Sequence, residues 1–258
     1  MEEKGGPLST GGSAHCFASY ASLSTPSEIA EIQKSILEEP SGHSAKTKKI
    51  LAHDIGELTD GSLQIVMIPA TLNIARAADQ KELIKTPESQ VGKQGITLGP
   101  AIARPLSVGS VHIACSDPTV DPAIDPNHCA HSADVEMMAK GVELSEKMVA
   151  TSPLKEKIKK RWYPHESVDL KTKEGRKKYV MATRGTEYHP LGTVAMGGEG
   201  DGACDKRLRV RGTKRLRCVD ASVIPLQVSG NIIGTVYAVA EKAADLIKED
   251  WGVCGFLY

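Results

Sequence analysis

His189-Pro190-Leu191-Gly192-Thr193-Val194-Ala195-Met196-Gly197 is followed by Val219-Asp220-Ala221-Ser222-Val223-Ile224-Pro225 and then by Ser229-Gly230-Asn231. The last block runs into an amphipathic stretch. Thr235 to Glu249 is predicted to be a helix, with Val236, Val239, Ala240, Ala243 and Ile247 on its buried side. Between the first two blocks, Arg207 to Val219 alternates about Gly212 and predicts a hairpin of two strands.

Upstream, the pattern is mixed. The first 20 residues are rich in Gly, Ser and small side chains and read as loop. Thr25-Pro26-Ser27-Glu28 predicts a helix start, with Thr as N-cap, Pro at the first helical position and Glu closing a capping box. Ile29, Ile32 and Ile36 fall on one face of that helix, and Lys46 to Gly56 predicts a second, shorter one. Ser62 to Ile68 predicts a buried strand, and residues 95–103 and 109–115 two more, with Arg104-Pro105-Leu106-Ser107 turning the chain between them. Asp117 to Pro126 carries three prolines and is expected to be extended loop. Ser132 is expected to cap a helix to Ala150 with Val135, Met138, Val142 and Val149 on one stripe, and Ser152-Pro153 to open another. Strands, then helices, a hairpin and a final helix define an α+β fold rather than a doubly wound sheet.

The composition narrows the function. A chain of 258 residues forms one large domain or two small ones. Lys+Arg and Asp+Glu both number 32, which argues against a nucleic-acid or anionic-membrane partner. The basic runs Lys155 to Arg161, Arg176 to Lys178 and Lys206 to Arg217 read as solvated faces balanced by acids elsewhere. No apolar run is long enough to cross a bilayer, and Met1 to Pro7 is not followed by the apolar region of a signal peptide. Cysteines 16, 115, 129, 204, 218 and 254 show no framework spacing, which favours a reduced, cytoplasmic setting.

The three blocks, in this order and with a hairpin between the first two, resemble the C-terminal signature of the glucose-methanol-choline (GMC) oxidoreductases. Arg104-Pro105-Leu106-Ser107 to Ile113, Asp117-Pro118 and Ala123 to Asn127 also resemble that family's substrate-domain strand and the loop after it. The resemblance implies an antiparallel sheet with flanking helices, forming the substrate domain over residues 1–185. It also implies a C-terminal segment, residues 186–258, that completes an FAD domain and carries the catalytic residues. One departure is plain. The family holds the FAD pyrophosphate with a Gly-x-Gly-x-x-Gly turn in an N-terminal βαβ unit, and no such spacing occurs here. The chain therefore looks like the C-terminal half of a GMC protein, whose partner would be an FAD-binding front half.

Oxidation of an alcohol requires a base for the hydroxyl proton while hydride leaves the carbon. Histidine suits this because its ordinary pKa, about 6.5, lies near working pH. The resemblance puts His189 at the family's catalytic histidine and Asn231 at the second catalytic position, where His or Asn stands. An asparagine can donate to the substrate oxygen but cannot serve as base, so His189 is the expected base. Asp220 and Ala221 match residues near the FAD ribose and diphosphate, and Asn231 and Ile232 lie where the last helix starts near the flavin ring. Outside that resemblance, Asn231, Ser229 and Thr235 are each competent to cap the last helix, and Asp220 to form a turn. His112, Cys115, His128, Cys129 and His131 offer soft ligands. Alternation along 109–115 turns His112 and Cys115 to opposite faces, so no metal is expected. A non-oxidative flavin relative such as a lyase, or an inactive interaction module, stays open alongside the alcohol oxidoreductase.

Overall fold

A computed structural model describes residues 14–77 and 79–253. The loop expected over residues 1–13, the Met1 to Pro7 opening and Cys254 lie outside the described residues. The chain divides into two compact units. Unit 1 takes residues 1–109 and 126–187, and unit 2 takes residues 110–125 and 188–258.

Unit 1 is built on a three-stranded antiparallel sheet of β1 (Ala14–Ala18), β2 (Leu63–Ile68) and β3 (Thr97–Ile102), with β2 in the centre. Leu63 lies opposite Ala18 on one side and Ile102 on the other. Pro100 has no N–H to give and sits on β3, an edge strand, where a missing donor is tolerated. β1 corrects the loop reading of the first 20 residues from position 14 onward. The alternation His15, Cys16, Phe17 was short, but pairing with a strongly apolar neighbour overrides weak local preference.

Four longer helices belong to this unit, α1 (Pro26–Glu38), α2 (Ala45–Asp54), α4 (Ser132–Val149) and α6 (Lys173–Thr183); α4 lies on the sheet, and α1 and α6 pack on α4. Of the short helices, α3 (Gln80–Leu83) lies between β2 and β3, and α5 (Leu154–Lys157) between α4 and α6. α1 starts as its sequence predicts: the Glu28 N–H donates to Thr25 Oγ1 at 3.3 Å, and the Thr25 N–H donates back to the Glu28 carboxylate at 2.8 Å. Ile32 and Ile36 bury their side chains with Leu51, Leu63, Ile65, Leu106 and Met137. α4 packs directly on the sheet because residue 141 is glycine: a Cβ there would come within 2.8 Å of Pro100 Cβ.

The cap of α4 falls one residue before the expected Ser132. His131 is the N-cap, and its Nδ1 accepts the Ala133 N–H at 3.1 Å, while the Ser132 hydroxyl is drawn off to Glu39. Pro153, expected at the first helical position, is instead the residue before α5, which runs for four residues. The Arg104–Ser107 turn is held by charge. Arg104 pairs with Asp54 and Asp60, and the fully buried Asp134 accepts the N–H groups of Leu106 (2.7 Å) and Ser107 (2.8 Å) and the Ser107 hydroxyl. The basic runs meet acids: Arg161 pairs with Glu146, Arg176 with Glu143, and Arg207, Arg209 and Arg217 converge on Asp250.

Unit 2 holds a second, two-stranded antiparallel sheet of β4 (Ser110–His112) and β5 (Ala123–Asp125). The strand expected over 109–115 therefore stops at His112, where Ile113, 89 % exposed, has no core to enter. The loop expected over 117–126 supplies its partner. The hairpin of 207–217 is present in outline but is not two regular strands. It is held by isolated bridges, Cys204 to Val210 and Arg209 to Arg217, and left-handed residues at Leu208, Gly212 and Arg215 interrupt the ladder. The last helix, α7, spans Ile233–Asp250. Its buried side is Ala243 and Leu246, with Val239 half-buried against Cys204, Leu208 and Val223. Ala240 and Ile247, expected inside, face outward. The helix is apolar over a wider arc than this small core can cover.

Candidate active site

The sequence-predicted site residues all belong to unit 2. His189 is half-buried and follows Tyr188, whose φ of +62° turns the chain into the His-Pro-Leu-Gly segment. Gly192 has φ +85°, a conformation that favours glycine, and a Cβ there would lie 3.4 Å from the Ile224 carbonyl. From Gly192 the segment runs along the Asp220 segment as a short ladder. The N–H groups of Gly192, Val194 and Met196 donate to the carbonyls of Ala221 (3.4 Å), Ser222 (3.1 Å) and Val223 (2.8 Å). Two blocks separated in sequence by a hairpin are thus joined by backbone bonds. Gly197 is required by close packing: a Cβ there would fall 2.9 Å from the Asp201 carbonyl carbon and oxygen.

Asp220 is exposed and caps a single 3-10 turn, Ala221–Val223, by accepting the Ser222 N–H at 2.8 Å. Its carboxyl is held below the usual carboxylate range by the Ser222 hydroxyl and amide, so it is anionic at neutral pH. The turn-forming role open to it is thus realised.

Asn231 is exposed and stands just before α7. The residue at the cap position is Ile232, and it makes no side-chain cap hydrogen bond. Thr235 lies inside the helix. The first N–H groups of this eighteen-residue helix have no partner within the helix, which makes its start a positive end suited to an electron-rich group.

These residues fit part of FAD. An exposed carboxylate can accept from a ribose hydroxyl, and the positive start of a helix can face the electron-rich end of the ring. They do not supply a diphosphate cradle, because none of the strand-to-helix connections among the described residues carries a Gly-x-Gly-x-x-Gly turn. Among the described residues no group of three or more His, Cys, Asp or Glu could hold a metal ion. No described helix is long and apolar enough to cross a membrane. The arginine clamp on Asp250 and the contact between Cys204 and Cys218 were not read from the sequence. Both depend on long-range folding of the hairpin, which spacing does not reveal.

Residues 105–240 match the family model of the GMC oxidoreductases, and the chain belongs to that family. It is 34% identical over 263 residues to a dehydrogenase, mpl7, of Monascus purpureus, an alignment that takes in 97% of this chain and 41% of that protein. It is 40% identical over 153 residues to the GMC oxidoreductase family protein Mala s 12 of Malassezia sympodialis, covering 59% of this chain and 24% of that one. The chain thus spans about two fifths of the length of the first of these relatives. Among solved structures, a fungal aryl-alcohol oxidase shares the fold with a TM-score of 0.68 at 24% identity, over 92% of this chain and 38% of that one. A formate oxidase of Aspergillus oryzae RIB40, studied for its FAD modification, matches with a TM-score of 0.65 at 27% identity, over 80% and 36%. The α+β architecture and the flavoprotein family read from the sequence both hold.

Proposed function

We propose that this chain supplies the substrate-facing and catalytic part of an FAD-dependent enzyme that oxidises the CH–OH group of a small alcohol. When bound, FAD takes up the hydride that leaves the alcohol carbon. The His189 imidazole accepts the hydroxyl proton, since it is the member of the pair with a basic nitrogen. The Asn231 carboxamide donates an N–H to the same oxygen as negative charge develops there. Asp220, Ala221, Asn231 and Ile232 would border the cofactor, where the positive start of α7 would favour an electron-rich group.

The observation that carries this reading is the ladder from Gly192–Ala221 to Met196–Val223, which places the histidine block against the aspartate block. A second feature supports an incomplete flavin grip. Ile233, Tyr237, Ile247 and Trp251 recur along one side of α7 and are 68%, 68%, 39% and 66% exposed. An apolar stripe of this kind is the face on which a front half carrying the dinucleotide-binding unit would seat.

The test is a flavin titration followed by absorbance. Alone, the chain is expected to bind FAD weakly. Mixed with the front portion of the Monascus dehydrogenase, it should form a yellow complex whose flavin is bleached by an alcohol. In that complex, His189→Ala should slow flavin reduction by about 10²- to 10⁴-fold, the usual worth of a positioned base. A colourless mixture, or a His189→Ala complex reduced at the unmodified rate, would remove the proposal.

A further inference from the structure

Unit 2 places two thiols together at the centre of its small core. Cys204 is fully buried, and Cys218 packs on the same cluster with Leu208, Val223 and Ala243. Both are free cysteines. Burial raises the Cys204 thiol pKa, and the Cys218 thiol beside it adds to the rise. Cys218 is partly exposed and follows Arg217 on the rim of the arginine-rich hairpin.

We infer that Cys204 and Cys218 form a reversible redox pair, a dithiol that a hydroperoxide converts to a disulfide. The Cys218 thiolate attacks one peroxide oxygen. The O–O bond breaks, the sulfur is oxidised to a sulfenic acid, and the distal oxygen leaves as water or alcohol with a proton from solvent. Cys204 then attacks the sulfenic sulfur. The S–S bond forms, the S–O bond breaks, and the departing hydroxide takes the Cys204 proton as water. Two thiols and one hydroperoxide give one disulfide, one water and one water or alcohol.

The pair sits where such a bond has consequences. The Cys204 N–H donates to the Ala195 carbonyl, and its own carbonyl accepts the Gly197 N–H. Cys218 stands two residues before Asp220. The disulfide would tie the histidine block to the aspartate block, whether or not a flavin is bound.

The experiment treats the reduced full chain with hydrogen peroxide, alkylates the remaining thiols and maps peptides without reductant. The expected result is loss of two thiols and a linked pair of peptides containing Cys204 and Cys218, two hydrogens lighter than their sum and separated again by dithiothreitol. The oxidised chain should also melt several degrees higher, a rise absent from Cys218→Ala, whose part-exposed site tolerates the change. Cys204→Ala should stop at a Cys218 sulfenic acid that dimedone traps. Persistence of both thiols, oxidation of Cys218 to sulfinic acid with Cys204 still free, or a link from either to another cysteine would overturn the inference.

Discussion

The two units solve the same problem with unequal means. Unit 1 packs α4 on its sheet and buries Ile36, Leu63, Ile65, Leu106 and Met137 almost completely, although Leu58 and Ile84 stay exposed. Unit 2 gathers Cys204, Leu208, Val223 and Ala243 into a small core, and it leaves Ile113, Ile124, Ile233, Tyr237 and Trp251 largely exposed. Yet every residue proposed to do chemistry is in unit 2. The contrast teaches that, on the proposed function, unit 1 would serve as scaffold while unit 2, which carries the proposed site, would be covered by a partner. A site that must receive a large cofactor cannot also fill its own interior.

The sharpest way to break this comparison is to remove equivalent bulk from each core. Leu63→Ala empties the centre of the sheet and should cost about 4 kcal/mol, within the range for a packed leucine. Val239→Ala, on the half-buried face of α7, should cost about 1 kcal/mol, because the cavity opens toward solvent. Urea unfolding of both variants measures the gap, and equal losses would refute the distinction. The next largest effect tests polar rather than apolar order. Asp134→Ala strands the Leu106 and Ser107 N–H groups and the Ser107 hydroxyl inside unit 1, at an expected cost of about 3 kcal/mol. Hydrogen exchange should then show the Arg104–Ser107 turn opening, with the Gly192–Met196 amides of unit 2 unchanged.

How much of this was legible beforehand depended on whether the signal was local. Thr25 to Glu28 carries a complete helix start within four residues, and the structure keeps it. The strands and helices followed from periodicity, and their arrangement as an antiparallel sheet with flanking helices from the resemblance. The three C-terminal blocks named the family because their residues and order are specific. Other features were decided across the chain and left no local mark. His131 caps α4 because Ser132 is engaged by Glu39, ninety-three residues earlier in sequence. Leu246 is buried in place of Ile247 because the small core of unit 2 selects one side of a broadly apolar helix. β5 arose inside a proline-rich stretch because β4 needed a partner and the main sheet did not provide one.

Acid should separate the units by a smaller margin. Burial holds the His131 pKa below its ordinary value, and Glu39 and Asp134 oppose that shift while Lys48 and His43 reinforce it. Neutral His131 uses Nδ1 to accept the Ala133 N–H, a bond the imidazolium cannot make. A folded-state pKa below the unfolded one means that the unfolded chain binds more protons in the interval between them. The stabilisation is therefore complete above about pH 6.5 and is lost as pH falls through the folded value. Glu39, held low chiefly by the Ser132 hydroxyl, and Glu28, lowered to about 2 chiefly by the Thr25 N–H, extend the loss to stronger acid. The unit 1 urea midpoint should be flat from pH 7 to 8 and decline below about 6.5. His131→Asn, which can cap without titrating, should remove the first part of that decline and leave the carboxylate part in place.

The smallest expected effect is the most informative about the exposed stripe of α7. Tyr237 lies on the open stripe of α7, 68 % exposed, one turn from Ile233. If that stripe is surface in this chain, Tyr237→Gln exchanges one exposed side chain for another with good helix propensity. Stability should then change by less than about 0.5 kcal/mol. A comparable apolar-to-polar change at Leu63 would be ruinous, so the pair of variants separates a covered face from an uncovered one within the same polypeptide. The same Tyr237→Gln chain, mixed with a front half, should hold that partner several-fold more weakly, because the buried aromatic area is lost only in the complex. Unfolding and binding are thus expected to disagree about the importance of Tyr237. A large loss of stability in the chain alone would mean that α7 is already packed on its outer face, and the contrast between the units would fail at the helix on which it is most visible.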